Sequence, residues 1–256
     1  MNGYFFDMDG TLYSHLFHEV SDPTFNILNQ LQAKHHFVAL ATSRCQSELK
    51  NLPSSMRNFK FDCIISDGGA LILDQKGQVL EKTCIPTQKM KQLDAFCKEH
   101  HLMYRYSTKD GNYFGTPYNQ MAHDIYFHLY LNAPIYKPYN LDEVLNVLIF
   151  CPGDLKEMVR PMLEGLGVVE FNDCFEIRAS GVDKASAVQH VMKNHHFNMT
   201  YCFGDGTNDI EMLKQADVGV AMGNACLALK EIADVVIGSV DEDGIYTYLK
   251  SKMEDE

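Results

Sequence analysis

Positive charge and long hydrophobic runs are both scarce in this 256-residue sequence. Lysine and arginine number 22 against 34 aspartates and glutamates, so the net charge is −12 at pH 7. Nucleic acid backbones and anionic membrane surfaces are bound through clustered basic residues, which an acidic chain does not favour. One of the longest apolar runs, 145–151, is interrupted by Asn146 and falls far short of the about 20 residues that cross a bilayer. We therefore expect neither a nucleic acid nor a membrane as a partner.

Closely spaced cysteines are also missing. No two of the eight cysteines lie closer than the 13 residues that separate Cys84 from Cys97, so there is no Cys-x-x-Cys metal or redox pair. Reduced, mostly buried thiols are the expected alternative. The first residues carry no basic segment before Asp7, which predicts no secretory signal peptide. These features predict a cytoplasmic protein.

Strand-like apolar runs alternate with helix-like segments in both the first and the last third of the chain. The run FVALAT at 37–42, for example, is continuously apolar up to its final threonine, as is typical of a buried parallel strand. From about residue 84 to 180 the pattern changes to an α+β mixture. The sequence therefore predicts an α/β protein: a Rossmann-like, doubly wound parallel sheet with an inserted α+β domain. The predicted core comprises 1–83 and 181–256, and the predicted insertion comprises 84–180.

Two carboxylates, Asp7 and Asp9, end the first predicted strand and are followed directly by Gly10 and Thr11. Ligands of open α/β sheets bind at the carboxyl ends of the strands. The same residues could begin a Ca²⁺ loop, but such a loop lies between two helices and has glutamate at its twelfth position. Here a strand precedes, and the twelfth position is His18. The pattern favours a site at the edge of the sheet.

A second acidic pair, Asp205 and Asp209, follows the apolar strand predicted near 200–203. The turn between them is rich in glycine, so both side chains can face one point. With Asp7 and Asp9 they would bring four carboxylates to one edge of the sheet, and such a group repels itself unless a cation lies within it. Carboxylate oxygens together with substrate phosphate and water suit Mg²⁺. The sequence therefore predicts Mg²⁺ as the cofactor.

A lysine and a hydroxyl group could supply the complementary phosphate contacts. Lys184 begins a predicted helix, where a positive charge opposes the helix dipole, so its position indicates a role. Its ammonium could bind a phosphate oxygen or screen an aspartate. Thr42 ends the strand at 37–42 and is followed by Ser43 and Arg44. A hydroxyl with free backbone N–H groups at such a turn is typical of a phosphate cradle.

These motifs together resemble the haloacid dehalogenase-like (HAD) superfamily, in particular its Cof-type subfamily. FFDMDGTL at 5–12, ATSR at 41–44 and GDGTNDIEML at 204–213 are similar to the first, second and fourth family motifs. Lys184 is similar to the third, and ADVGVAMGNA at 216–225 also follows the Cof pattern. The resemblance covers nearly the whole chain. It implies a Rossmann-like core with a cap inserted between the second and third motifs.

The resemblance further implies a Mg²⁺-dependent phosphatase of small phosphomonoesters, such as sugar or cofactor-like phosphates. Asp7 would form an aspartyl-phosphate and Asp9 would act as acid and base. The residues that the resemblance assigns to the metal are Asp7, Asp9 (through its backbone carbonyl), Asp205, Asn208 and Asp209. Those assigned to phosphate are Thr42, Ser43 and Lys184, and the candidates for substrate contact are Arg44 and Arg178. For Arg178 a solvated or packing role is the favoured alternative.

Two alternative functions remain open, and the sequence departs from the family pattern at three places. A phosphomutase or phosphotransferase on the same fold would release an isomeric or transferred ester, and a phospho-aspartate switch would keep its acyl phosphate. Retention of Asp9 and the inserted domain favour turnover. Family members commonly have glycine where this chain has Ser43, proline where it has Cys45, and two asparagines where it has Asp67 and Gly68. The last departure puts in doubt any substrate contact at position 68. The oligomeric state is not predicted.

Overall fold

The computed structural model describes residues 1–130, 134–151, 153 and 155–254. Its strands are β1 (Gly3–Phe6), β2 (Phe37–Ala41), β3 (Cys63–Ser66), β4 (Leu71–Asp74), β5 (Val79–Lys82), β6 (Met103–Ser107), β7 (Asn112–Phe114), β8 (Ile135–Tyr136), β9 (Asn146–Phe150), β10 (Leu166–Glu170), β11 (Cys174–Ala179), β12 (Thr200–Gly204), β13 (Val218–Ala221) and β14 (Val235–Val236). Its helices are α1 (Asp22–Ala33), α2 (Gln46–Leu49), α3 (Ser54–Asn58), α4 (Thr87–Glu99), α5 (Gln120–Tyr130), α6 (Leu155–Val159), α7 (Lys184–Lys193), α8 (Ile210–Lys214), α9 (Leu227–Ile232) and α10 (Gly244–Glu254).

The first sheet has the strand order β14-β13-β12-β1-β2-β3-β4-β5. The strands from β14 to β3 are parallel, and β4 and β5 add an antiparallel edge. Every residue of β1 and β2 is buried, because helices cover parallel sheets on both faces. The predicted α/β class with a parallel sheet is confirmed. Since β1 pairs with both β2 and β12, the carboxyl ends of these three strands meet at the same edge.

The second sheet, which we call the cap sheet, has the order β10-β11-β9-β6-β7-β8 and is antiparallel except for the β7–β8 pair. Side chains alternate between its faces along β9. Val147 and Ile149 pack into a core with Met90 and Leu93 of α4, whereas Leu148 lies on the opposite face. The boundaries predicted at 83/84 and 180/181 stay a prediction, and residues 131–133, 152 and 154 of the predicted insertion lie outside the described residues.

Buried polar contacts join the cap sheet to the core. Arg105 of β6 forms an ion pair with Glu48 of α2, and both side chains are 1% exposed. The Tyr126 hydroxyl of α5 donates to the same carboxylate. Nearby, the hydroxyl of Ser107 donates to Asp67 Oδ1 at 2.5 Å. Burial raises the pKa of Asp67 to about 7, although the Ser107 hydrogen bond opposes the shift. Separation of the cap from the core would therefore break hydrogen bonds to two buried carboxyl groups.

All eight cysteines lie within the described residues, and each is unpaired and buried or half-buried. Along the part of the chain that the structure describes, no helix combines the length and apolar character needed to cross a membrane.

Candidate active site

Asp7 lies directly after β1, at the edge of the core sheet where the neighbouring strand β12 also ends. Its backbone N–H donates to the carbonyl of Phe203 at 3.0 Å, which extends the β1–β12 pairing by one residue. The chain then turns at Gly10, whose φ is +78°. A Cβ at this position would lie 2.2 Å from Oδ2 of Asp205. Glycine is therefore required both by the backbone conformation and by the close approach of the second acidic motif.

Three carboxylates meet at this edge. Ligand oxygens of Asp7, Asp205 and Asp209 all lie within 4.8 Å of one another. Asp209 is fully buried, and its Oδ2 accepts the backbone N–H groups of Asp205 at 3.2 Å and Gly206 at 3.1 Å. Burial, reinforced by the neighbouring negative charges, raises the pKa of Asp7 well above its usual range. Burial and Asp209 raise the pKa of Asp205 to about 7. The three side chains therefore form a strained anionic group that a cation would stabilise.

Lys184 is the first residue of α7, and its side chain extends into this group. The ammonium is 1% exposed and donates to Asp7 Oδ1 and, at 2.9 Å, to Asp209 Oδ1. Burial lowers the pKa of Lys184, but the charges of Asp209 and Asp7 outweigh it and raise the pKa above its usual value. Lys184 is therefore charged, and its two carboxylate partners offset the unfavourable position at the helix start.

The carboxylate of Asp9 does not join the three others. It accepts two hydrogen bonds from Arg44, from Nε at 2.8 Å and from Nη2 at 2.5 Å, and it lies 3.0 Å from Nε2 of His15. Four carboxylates were expected to converge, but only three of these four do. Asp9 turns to Arg44 instead, because a guanidinium can donate two parallel hydrogen bonds to one carboxylate. Burial raises the pKa of Asp9, but the hydrogen bonds and charges of Arg44 and His15 outweigh it and lower the pKa to about 2.

The Arg44–Asp9 pair predicts a pH-dependent loss of stability in Arg44→Met. A depressed folded-state pKa stabilises the fold above the unfolded pKa of 3.8 and loses that effect as pH falls towards 2. We expect the variant to be less stable by about 1 kcal/mol at pH 6, since the partly exposed carboxylate is screened by water, with the difference shrinking below pH 4. Urea unfolding followed by circular dichroism measures it. The exposed Arg57→Met is the control, and a difference that does not vary with pH would contradict the prediction.

The residues of the second motif have different surroundings. Thr42 is buried, and its hydroxyl accepts the backbone N–H of Arg44 at 3.1 Å. The hydroxyl of Ser43 donates to Oε2 of Glu176, on the cap sheet, at 3.2 Å. The departure from the family glycine at position 43 therefore provides a polar contact between core and cap.

Asn208 lies half-buried in the short 3₁₀ turn that contains Asp209.

The Arg178 side chain occupies the space that a side chain at position 68 would fill. Arg178 is 2% exposed, and its Nη1 donates to the Gly68 carbonyl at 2.7 Å. Gly68 has a φ of +65°, and a Cβ there would lie 2.3 Å from Arg178 Nη1. Glycine at the position where the family commonly has asparagine leaves room for this guanidinium. The contact is a packing and hydrogen-bonding one, and substrate contact by Arg178 stays a prediction.

A cavity of about 520 Å³ lies between the carboxylates and the cap sheet. The core lines it with Asp7, Asp9, His15 and Ser43. The cap lines it with Arg105, Tyr126, Asn146, Leu148, Phe150, Glu176 and the segment 170–174. The site can therefore hold a ligand with one end at the carboxylates and the other against the cap.

Sequence reasoning missed His15 and Glu176. His15 lies six residues beyond Asp9 in an irregular loop, and no local pattern indicated its contact with that carboxylate. Glu176 contacts Ser43 across 133 positions of sequence. Its only local signal is the alternation along β11, which predicts which face it occupies but not that the face meets the core.

The comparisons with known proteins agree with this geometry. The family profile described as haloacid dehalogenase-like hydrolase matches residues 4–249. The 5-amino-6-(5-phospho-D-ribitylamino)uracil phosphatase YcsE of Bacillus subtilis is 26% identical, over 93% of this chain and 90% of the relative. A solved sugar phosphatase of HAD subclass IIB has a TM-score of 0.85 at 26% identity. A second structure, from a study of a phosphoryl-transfer superfamily, has a TM-score of 0.87 at 27% identity. Both structural matches cover 98% of each chain. The chain therefore belongs to the haloacid dehalogenase-like hydrolase family, and it is a Cof-type phosphatase.

Proposed function

We propose that this phosphatase hydrolyses small phosphomonoesters with Mg²⁺ and through an aspartyl-phosphate on Asp7. The observation that carries the proposal is the group of Asp7, Asp205 and Asp209, with the buried Lys184 among them, at one end of a cavity. Relatives described as phosphatases of a sugar and of a phosphoribitylamino-uracil support a small phosphorylated metabolite as the substrate class. The unpaired cysteines support a reducing compartment, the cytoplasm.

The carboxylate group fits a hard divalent cation. All three ligand candidates offer oxygen. Burial, together with the neighbouring negative charges, raises the pKa of Asp7 and of Asp205, and a cation would offset both effects. Asp7 and Asp205 would hold Mg²⁺, with the Asp9 carbonyl, Asn208 and Asp209 as further ligands or their supports. When bound, the ion neutralises the substrate phosphate and so reduces its repulsion from the attacking carboxylate.

The chain's own residues would carry both chemical steps. An Asp7 oxygen attacks phosphorus, and the bond from phosphorus to the leaving oxygen breaks as the aspartyl-phosphate forms. Asp9 gives a proton to the leaving oxygen and later takes one from the water that hydrolyses the intermediate. Arg44 keeps Asp9 ionised for that second step. The proton that Asp9 takes from this water is the one that it gives to the leaving oxygen in the next turnover, so the two steps balance.

The phosphoryl oxygens need donors of their own. Lys184 and the Thr42 hydroxyl are positioned by buried contacts and would stabilise the charge that develops on the transferring group. Ser43 would add its backbone N–H, since its hydroxyl is bonded to Glu176. Pre-positioned donors of this kind supply much of the rate enhancement in phosphoryl transfer.

Asp9→Asn tests the two-step mechanism. The variant keeps Asp7 but lacks a proton donor and acceptor, so both steps slow. We expect kcat for an alkyl phosphate to fall by about 10³-fold, within the usual range for acid–base catalysis. With p-nitrophenyl phosphate the rate of the first step should fall less, because this leaving group needs no proton. The variant should therefore release a burst of one nitrophenol per enzyme molecule and accumulate the acyl phosphate.

Metal dependence and products complete the test. Wild-type phosphate release should stop with EDTA and return with Mg²⁺. Equal losses on both substrates in Asp9→Asn, with no burst, would contradict the role of Asp9. An isomeric or transferred ester in place of free phosphate would favour the phosphomutase or phosphotransferase alternative. A stable acyl phosphate in the wild type would favour a switch.

A further inference from the structure

Glu176 is a buried carboxylate that lines the cavity. It is 2% exposed. Its Oε1 accepts the side-chain amide of Asn146 at 2.6 Å, and its Oε2 accepts the Ser43 hydroxyl at 3.2 Å. Both donors are neutral, and among the described residues no ion pair includes Glu176. The guanidinium of Arg178 lies near Glu176, since the Cβ position of Gly68 is 2.3 Å from Arg178 Nη1 and 2.9 Å from Glu176 Oε1. That Nη1 donates to the Gly68 carbonyl. An ionised carboxylate has about four acceptor positions, so acceptor capacity remains.

The charges around Glu176 disfavour a second anion in the cavity. Arg105 is the cap cation that lines it, and its guanidinium is paired with Glu48 in the interior. Further carboxylates line the same space, including Asp173 at the exposed rim. Beyond the phosphate end, a leaving group with a carboxylate or a second phosphate would meet mainly negative charge in a medium that screens it poorly.

Apolar surface lies directly beside the acceptor. In the register of the cap sheet Glu176 pairs with Leu148, and Cys174 pairs with Phe150. Side chains of directly paired residues project from the same face of a sheet, and all four line the cavity. Tyr126 adds an aromatic ring to the lining. A ligand that packs on Leu148 and Phe150 would thus have Glu176 within reach of a polar substituent.

We propose that the cap selects phosphomonoesters whose leaving group joins a flat apolar part to a hydrogen-bond donor, an ammonium or a hydroxyl, with Glu176 as the acceptor. The inference rests on the proposed phosphatase function and specifies its substrate class. A buried carboxylate is costly when acceptor positions stay unused, so a ligand that donates to the remaining positions of Glu176 is favoured over one that does not, and an anion is disfavoured.

Four benzyl phosphates that differ in one para substituent test this selection. The substituents are aminomethyl, hydroxymethyl, methyl and carboxylate, and they leave the ring and the leaving oxygen unchanged. Phosphate release with Mg²⁺ gives kcat/KM for each ester. In the wild type we expect the aminomethyl and hydroxymethyl esters to exceed the methyl ester by about tenfold or more, as is usual when a buried polar group gains or lacks its partner. The carboxylate ester should be the poorest.

Glu176→Gln then identifies the acceptor. The amide still accepts from Asn146 or Ser43 but carries no charge, so the ratio of kcat/KM for the aminomethyl ester to that for the methyl ester should fall by about tenfold. The ratio is independent of any general loss of activity. Asp173→Asn, which removes an exposed carboxylate from the same lining, is the matched control and should change the ratio less than twofold.

The outcomes separate the two proposals. Equal kcat/KM across the four esters in the wild type would overturn the selection, and an unchanged ratio in Glu176→Gln would overturn Glu176 as its acceptor. Both results would leave the phosphatase function standing. Absence of phosphate release from every ester by the folded wild type with Mg²⁺ would overturn the phosphatase function itself. The wild-type ranking needs no variant, so it decides the matter even where Glu176→Gln does not fold.

Discussion

Replacing Asp7 with asparagine is expected to lower kcat for phosphate release by about 10⁴-fold or more, while the protein stays folded. An amide cannot form the aspartyl-phosphate, and the loss of a covalent nucleophile is among the largest single effects in enzymes. The substitution is nearly isosteric and removes one of three mutually repelling carboxylates, two of them buried and one half-buried. In EDTA we therefore expect Tm to rise by about 2–4 °C.

Phosphate release and thermal unfolding by circular dichroism measure both parts of this prediction. Asp110→Asn, an exposed aspartate in the β6–β7 turn, is the control and should change neither. Loss of folding in Asp7→Asn would contradict the expected relief of repulsion, and retained turnover would contradict the role of Asp7 as the nucleophile. Mg²⁺ should also raise the Tm of the variant less than that of the wild type, because one ligand has lost its charge.

Lys184→Met should produce the largest loss of stability. The substitution leaves Asp7 and Asp209 buried without their common cation. Removing one partner of a buried ion pair costs about 3–5 kcal/mol, because the remaining charge has neither water nor partner. Phosphate release should also fall, by about 10³-fold, through loss of a donor to the phosphoryl oxygens. Mg²⁺ should restore part of the stability, since it supplies positive charge to the same carboxylates.

Urea unfolding in EDTA and in Mg²⁺ separates these contributions. Lys214→Met is the control, because Lys214 is exposed and pairs with Glu211 on the surface of α8, where an ion pair contributes little. A loss of stability in Lys184→Met no larger than in the control would contradict the proposed balance of charge. So would a loss that Mg²⁺ leaves unchanged.

The carboxylate site could be predicted from sequence because it depends on strand ends. Asp7 and Asp205 each follow a short apolar run, and parallel strands that are buried on both faces end at a common edge. That rule needs no knowledge of side-chain conformation. The position of Lys184 at a helix start was informative for a related reason, since an unfavourable charge there needs compensation.

The surroundings of these residues depend on packing that no local pattern encodes. The conformation of Asp9 is decided by Arg44, 35 residues away, and by His15 in an irregular loop. The hydrogen bond from Ser43 to Glu176 depends on how the cap sheet lies over the core. In the same way, the need for glycine at position 68 depends on the Arg178 guanidinium, which lies where a Cβ would be. Each case joins elements whose relative position is a tertiary property.

The pairing of β1 with β12 has a consequence for the order in which the protein acquires activity during synthesis. β1 is made first, but its partner β12 follows nearly 200 residues later, after the whole cap sheet has left the ribosome. The cap sheet pairs strands that lie much closer in sequence, and local pairings close faster than distant ones. The cap side of the cavity can therefore form on a nascent chain that still lacks Asp205 and Asp209. Catalysis becomes possible only when the last third of the chain is complete.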